Sequence, residues 1–148
     1  MNLNNFQFNT TPGLRFGSGT SKDSCKEISN KLGPSILFIT DKGLMSLGLT
    51  KPTIQELQKN SSVKVFDEVE ADPSKKTLLT AIEIGKKNKV TGVVGFGGGS
   101  SMDVAKLSAL ILGSNEDLEK TWGVANAKGP RLPLVLVPTT AGTGSEVT

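Results

Sequence analysis

The sequence predicts an α/β protein, a Rossmann-like, doubly wound and mostly parallel sheet with helices on both faces. Three observations carry that prediction. Apolar strand-like runs alternate with helix-like segments along the chain, the order expected of a parallel sheet covered by helices. Residues 35–40 are apolar almost without alternation, as a strand buried on both faces is, and a second run, residues 132–138, reads as the last strand. A third run, residues 92–96, flows into Gly97, Gly98 and Gly99 and then directly into a helix signal. Strand, glycine loop and helix start form an architecture that receives an anionic phosphate.

The elements follow in chain order. Phe6, Phe8 and Arg15-Phe16-Gly17 around Pro12-Gly13 read as short strands in a hairpin or sheet edge. Residues 21–32 read as a helix capped by Thr20 or Ser21, with Cys25, Ile28 and Leu32 on one face and Gly33-Pro34 as its stop. The apolar strand 35–40 comes next, then a helix over 52–59 with Pro52 in its first turn. Residues 63–66 form a strand, and Asp72-Pro73-Ser74 opens a helix carrying Leu78, Leu79, Ile82 and Ile84 to about Asn88. The glycine-loop helix runs to about Leu112, with Met102, Ala105, Leu107 and Leu110 as its apolar positions. Residues 113–130 are polar and less regular, with Leu118 and Trp122 as anchors. The last strand, 132–138, leads into a loop rich in threonine and glycine, residues 139–148. A domain seldom finishes on such a loop, so the chain reads as cut from a longer protein.

With 148 residues, 36% hydrophobic and 21% charged, the chain is one domain, 1–148, able to bury a core. Lys plus Arg number 17 against 14 Asp plus Glu, a net charge of +3, and no basic run is dense enough for a nucleic-acid stripe. Lys86, Lys87 and Lys89 fit a solvated helix end. The single cysteine, Cys25, excludes an internal disulfide and sits at core spacing. Histidine is absent, so imidazole chemistry and imidazole metal ligation are not available from this polypeptide. The first ten residues lack an apolar signal core and no run approaches a membrane span, which predicts a cytoplasmic chain without membrane contact.

Standard phosphate motifs do not account for the glycine loop. The pattern Gly-x-x-x-x-Gly-Lys-Ser/Thr is missing. The dinucleotide fingerprint Gly-x-Gly-x-x-Gly nearly fits from Gly95, but Ser100 takes its third glycine and no usable acid follows about 20 positions later. Gly97, Gly98, Gly99, Ser100 and Ser101 answer the same physical demand with a different loop. Ser100-x-x-Asp103 resembles a capping box, worth roughly 1 kcal/mol. Asp103 could pair with Lys106 on the surface or stand near a pyrophosphate.

A carboxylate does occupy the expected structural place, at the end of strand 35–40. Asp41 there can accept hydrogen bonds from an adenosine ribose and repel a 2′-phosphate. It can equally cap a helix before Leu44, and Lys42 beside it pulls modestly the other way. Thr139, Thr140 and Thr143, beside Gly142 and Gly144, add hydroxyls and amides in the final loop. Two such loops in one domain favour a pocket.

Gly97-Gly-Gly-Ser-Ser-Met-Asp-Val-Ala-Lys106 and Pro138-Thr-Thr-Ala-Gly-Thr-Gly-Ser-Glu-Val-Thr148 together resemble the iron-containing (group III) alcohol dehydrogenases. The resemblance extends to Phe16-Gly-Ser-Gly19 and Thr40-Asp-Lys-Gly43, nearly the whole chain. It implies a nucleotide-binding domain followed by a helical metal domain, with the active site between them. It implies NAD as cofactor, NADP less so, and hydride exchange with a primary or secondary alcohol or its aldehyde or ketone. By position, Asp41 would meet the adenosine ribose, Asp72 would stand close to the cofactor, and residues 97–101 would hold the pyrophosphate. Thr139, Thr140 and Thr143 would line the adenine and ribose side. The family's Fe2+ is held by one aspartate and three histidines of the helical domain, so no metal ligand or catalytic residue carries over to this chain, which alone is expected to be inactive.

Two further readings stay open beside this one. One is a stand-alone, non-catalytic nucleotide-binding module. The other is the N-terminal half of an enzyme resembling glycerol dehydrogenase or dehydroquinate synthase. A chain cut at a domain interface should expose apolar surface, which predicts a homo-oligomer or self-association.

Overall fold

The computed structural model describes residues 11–123 and 126–148. Phe6 and Phe8 lie outside them, so the predicted opening strands can be followed only at Arg15-Phe16-Gly17. That segment is irregular rather than strand, and Phe16 is 98% exposed. A solvated ring has no core contact with which to fix a sheet edge.

Helix α1, Thr20–Asp23, begins behind Gly19, not behind a hydroxyl cap. Helix α2, Cys25–Leu32, follows Ser24, whose ψ of −1° interrupts the single helix expected over 21–32. Cys25, Ser29 and Leu32 form its buried face, and Gly33-Pro34 ends it as the sequence signalled. Burial and the negative charges of Glu56 and Asp23 push the Cys25 thiol up to about 11, while its Sγ donates to the Ser21 carbonyl at 3.1 Å. The neutral thiol is the form the fold favours. This contribution to stability is whole below pH 9.0 and is lost as pH rises through about 11. Cys25 is therefore expected to resist a thiol reagent at pH 8 in the folded chain and to react promptly once urea unfolds it. Equal labelling rates in both states would contradict the burial.

Strand β1, Ser35–Ile39, leads through Asp41 into the short helix α3, Lys42–Ser46, and then α4, Lys51–Leu57, with Pro52 in its first turn. Strand β2, Ser62–Phe66, precedes α5, Lys75–Lys87, whose cap is Ser74: its Oγ accepts from Thr77 N–H at 3.2 Å. Strand β3, Gly92–Gly97, turns into α6, Gly99–Ser114. A 3₁₀ turn, Leu118–Lys120, and strand β4, Leu134–Pro138, complete the order. In the irregular segment Leu118 is buried, but Trp122 is 56% exposed and anchors nothing.

The four strands are all parallel, in the order β2-β1-β3-β4. Sequence order thus runs outward from β1 to β2, then reverses across β1 to β3 and β4. Central β1 and β3 are buried almost throughout, whereas the edges β2 and β4 are half-exposed. Alternation divides their side chains between two cores. Leu37, Ile39 and Val93 pack with Leu78, Ala81, Ile82, Val104, Ala105 and Ala109 beneath α5 and α6. Ile36, Phe38, Val94 and Phe96 pack with Cys25, Leu32, Ile54 and Leu57 beneath α2 and α4. Each Val, Leu, Ile or Phe side chain among them, fully buried, contributes about 1.5–3 kcal/mol of transfer free energy.

Gly95 sets the position of α6. A methyl group there would lie 2.6 Å from Ala105 Cβ and 2.9 Å from Leu136 Cδ2. Only a residue without Cβ lets this helix sit so close to β3, and that seating fixes where its N-terminus emerges.

Candidate functional site

The reversal of strand order lies between β1 and β3, so their carboxyl ends diverge into a crevice, the place where open α/β sheets bind ligands. Three loops converge on it. Ile39 pairs with Gly95 in register, so Asp41 and Gly97, each two residues further on, leave the sheet side by side. Gly97 pairs with Pro138 on its other flank, and Thr139 N–H donates to the Gly97 carbonyl at 2.9 Å.

Gly97 has φ 152°, and a Cβ there would lie 2.7 Å from Ser101 Oγ and 3.3 Å from Leu44 Cδ1. The loop is drawn tight over the first turn of α6. Gly98 is the residue before that helix, and no side chain caps it. The first amides of a helix lack intrahelical partners, so Gly99, Ser100 and Ser101 keep theirs for an anion beside the positive end of the dipole. Asp41 caps α3, Ser74 caps α5 and Asp117 caps the 3₁₀ turn, whereas α1, α2 and α4, like α6, have no side-chain cap; α6 is the one of these four that starts directly behind a strand at the switch point. The expected Ser100–Asp103 capping box does not form. Gly98 and Gly99 let the helix begin earlier, which puts Ser100 inside the first turn, and Asp103 pairs instead with Lys106 at 2.9 Å on the surface. A partly exposed pair of this kind contributes about 0–1 kcal/mol. Lys106 also donates to Thr148 Oγ1 at 2.8 Å.

The threonine loop closes the opposite wall. A Cβ on Gly98 would meet Thr140 Oγ1 at 3.5 Å, and one on Gly99 would meet Ser145 Oγ at 3.3 Å and Thr143 Cγ2 at 3.4 Å. Thr143 Oγ1 accepts from Ser145 N–H at 3.3 Å. The structure therefore gathers Asp41, Gly97, Gly98, Gly99, Ser100, Ser101, Thr139, Thr140 and Thr143 along one end of the sheet. Asp72 sits in the β2–α5 loop at the same end, with φ 49°, one strand further out. Asp103 faces the surface pair.

Asp41 takes the capping role the sequence left open: its Oδ1 accepts from Leu44 N–H at 2.9 Å. Sequence reasoning passed over Glu68, which pairs with Asp41 in an isolated antiparallel bridge. Nothing local signals that contact, because backbone bonds far apart in the chain create it. Glu68 lines a groove of about 440 Å³ with Lys42, Asp67, Glu70, Lys76 and Thr77. A smaller cavity of about 270 Å³ lies away from the glycine loop, among Lys22, Cys25, Lys26 and Glu56. The glycine loop lines neither; Gly97 is buried and Gly98, Gly99 and Ser100 are half-buried.

A Rossmann-like parallel sheet with an uncapped helix behind a glycine loop at its switch point defines a nucleotide-binding class of α/β domain. The chain belongs, within that class, to the iron-containing alcohol dehydrogenase family, whose sequence model matches residues 12–148. It is 31% identical over 140 residues to a sulfoacetaldehyde reductase of Bilophila wadsworthia, covering 94% of this chain and 36% of that protein. Among solved structures it resembles a 1,3-propanediol oxidoreductase with a TM-score of 0.86 and 30% identity, over 98% of this chain and 38% of the other. It also resembles the sulfoacetaldehyde reductase of Bifidobacterium kashiwanohense in complex with NAD+, with a TM-score of 0.76 and 34% identity, over 90% of this chain and 36% of the other. The chain thus spans little more than a third of these relatives.

Iron, which the family's description implies, finds no ligand set here. Histidine is absent from the sequence, and the described residues hold no group of three or more His, Cys, Asp or Glu able to bind a metal ion. No helix among the described residues is long and apolar enough to cross a membrane.

Proposed function

We propose that this chain, residues 1–148, is the cofactor-binding domain of an oxidoreductase that exchanges hydride between an alcohol and NAD. The observation that carries the reading is the convergence of three loops on the β1–β3 switch point, with the first turn of α6 left uncapped. Gly97 to Gly99 admit the pyrophosphate to the backbone, and the amides of Gly99, Ser100 and Ser101 donate to it. Thr139, Thr140 and Thr143 bound the cofactor on the β4 side. Asp41 accepts from the adenosine ribose, and Asp72 lies near the cofactor across the crevice. NAD, when bound, supplies the hydride acceptor; the chain's own residues hold and orient it. The NAD+ complex of the Bifidobacterium relative supports the choice of cofactor. The alcohol end of the reaction is assigned to no residue of this chain, which on its own is expected to bind cofactor and turn over no alcohol.

The test is a calorimetric titration of the chain with NADH and NADPH. Saturable NADH binding, tighter than NADPH, is the expected result, and binding of neither by the folded chain would overturn the reading. Asp41→Asn keeps a residue that caps as well as aspartate but removes the charge. It is expected to narrow the preference for NADH at least about tenfold, the effect of about 1.4 kcal/mol. An unchanged preference would remove Asp41 from the ribose.

A further inference from the structure

We infer that Glu68 stands with Asp41 as a second carboxylate that selects a free adenosine ribose over a 2′-phosphorylated one. This inference rests on the cofactor reading above and extends it to a residue beyond β2. The chain leaving β2 turns back across the end of β1. Thr40 N–H donates to the Phe66 carbonyl at 2.9 Å, Val69 N–H donates to the Thr40 carbonyl at 3.4 Å, and Asp41 faces Glu68 in an antiparallel bridge. A bond from the residue after Glu68 to the carbonyl before Asp41 makes this a non-hydrogen-bonded pair. In such a pair the facing Cα atoms stand about 4.5 Å apart and the side chains leave the same face. Two carboxylates therefore project together from the carboxyl end of β1, the strand next to the one that carries the glycine loop.

Their duties differ. Asp41 has one oxygen committed to Leu44 N–H, whereas the exposed Glu68 side chain lines the open groove next to it. A ribose presents two hydroxyl donors, which two carboxylates can accept together. A 2′-phosphate presents only acceptors and a charge of about −1.5 to −2, which the same pair repels. Lys42 and Lys76 line the groove and oppose that repulsion, but Asp67, Glu68 and Glu70 outnumber them three to two. Glu70 is turned to Thr77 Oγ1 at 2.8 Å and Ser74 N–H at 3.1 Å. Those bonds hold its carboxyl below the usual range, so it stays charged. Glu68 is left as the carboxylate of the groove that also pairs with Asp41.

NADH and NADPH are titrated into the chain and its Glu68→Gln, Glu68→Lys and Glu68→Asp variants at low and high salt. Glu68→Gln should weaken NADH and strengthen NADPH by about threefold each, narrowing the preference about tenfold, as one charge near a dianion does at this exposure. Glu68→Lys should narrow it further, Glu68→Asp should keep it, and added salt should shrink all the differences. Thermal midpoints should stay together, since an exposed side chain bears no core packing. A preference unchanged in Glu68→Gln, with NADH binding intact, overturns the role of Glu68 alone. A folded wild-type chain that binds neither nucleotide overturns the cofactor reading and this inference with it.

Discussion

Gly98→Val is expected to lower the affinity for NADH more than about a hundredfold, some 2.8 kcal/mol, while the chain stays folded. The substitution separates ligand exclusion from backbone strain. Gly98 has φ −77° and ψ −172°, extended backbone that valine adopts freely. An added Cβ meets only Thr140, at 3.5 and 3.6 Å, an ordinary contact. The fold loses little: replacing glycine at a helix cap by an apolar residue costs about 1 kcal/mol. The two γ-methyls, however, fill the gap between glycine loop and threonine loop, through which, in the proposed cofactor reading, a phosphate reaches the α6 amides. Gly97→Val should lose binding as well, but with a falling thermal midpoint, because its φ of 152° and the 2.7 Å approach to Ser101 Oγ strain any side chain. Full NADH affinity in a folded Gly98→Val chain would place the cofactor elsewhere.

What the sequence disclosed of this site was what depends on local pattern. Gly97 to Gly99 between a buried strand and an apolar helix can be read from neighbours in the chain, and so can Asp41 at the end of β1. The reading failed at one helix start and where a contact is made by distant segments. Ser100 and Asp103 have the spacing of a capping box, yet the helix begins at Gly99, one residue before Ser100, and its first amides stay bare. Trp122 is the kind of residue that anchors a loop, but only an apolar surface opposite can make it one, and the indole is 56% exposed. Glu68 lies in an acidic stretch with no periodicity, and its place beside Asp41 follows from backbone bonds between Thr40 and residues 66 and 69. The strand order, which turns two loops into a crevice, is likewise a property of pairing and not of any one segment.

The stability of the crevice depends on an aromatic pair directly beneath it. Phe38 in β1 and Phe96 in β3 stack with ring centroids 5.7 Å apart, and Phe38 is fully buried. Phe96 immediately precedes Gly97, and Phe38 lies three residues before Asp41, so this contact ties together the two strands whose ends carry the site. Phe38→Ala is expected to destabilise the chain by about 3–5 kcal/mol, the usual loss for a buried phenylalanine and the cavity it leaves. Of that, about 0.5–1.5 kcal/mol is the aromatic pairing itself. Total stability for a chain of 148 residues is on the order of 7–22 kcal/mol at about 0.05–0.15 kcal/mol per residue, so the variant approaches the threshold of unfolding only if the chain lies at the low end of that range. Phe38→Leu keeps most of the volume but not the ring, and should cost less than about 1.5 kcal/mol. Urea midpoints with unchanged slopes would read both values. The site should respond to the volume filled beneath it. With both variants held where they are fully folded, Phe38→Ala should bind NADH more weakly than Phe38→Leu, because the gap left under Val94 and Phe96 frees the β3 end to shift and carries Gly97 with it. Equal affinities in the two variants would show that β1 and β3 hold the glycine loop through their backbone ladder alone.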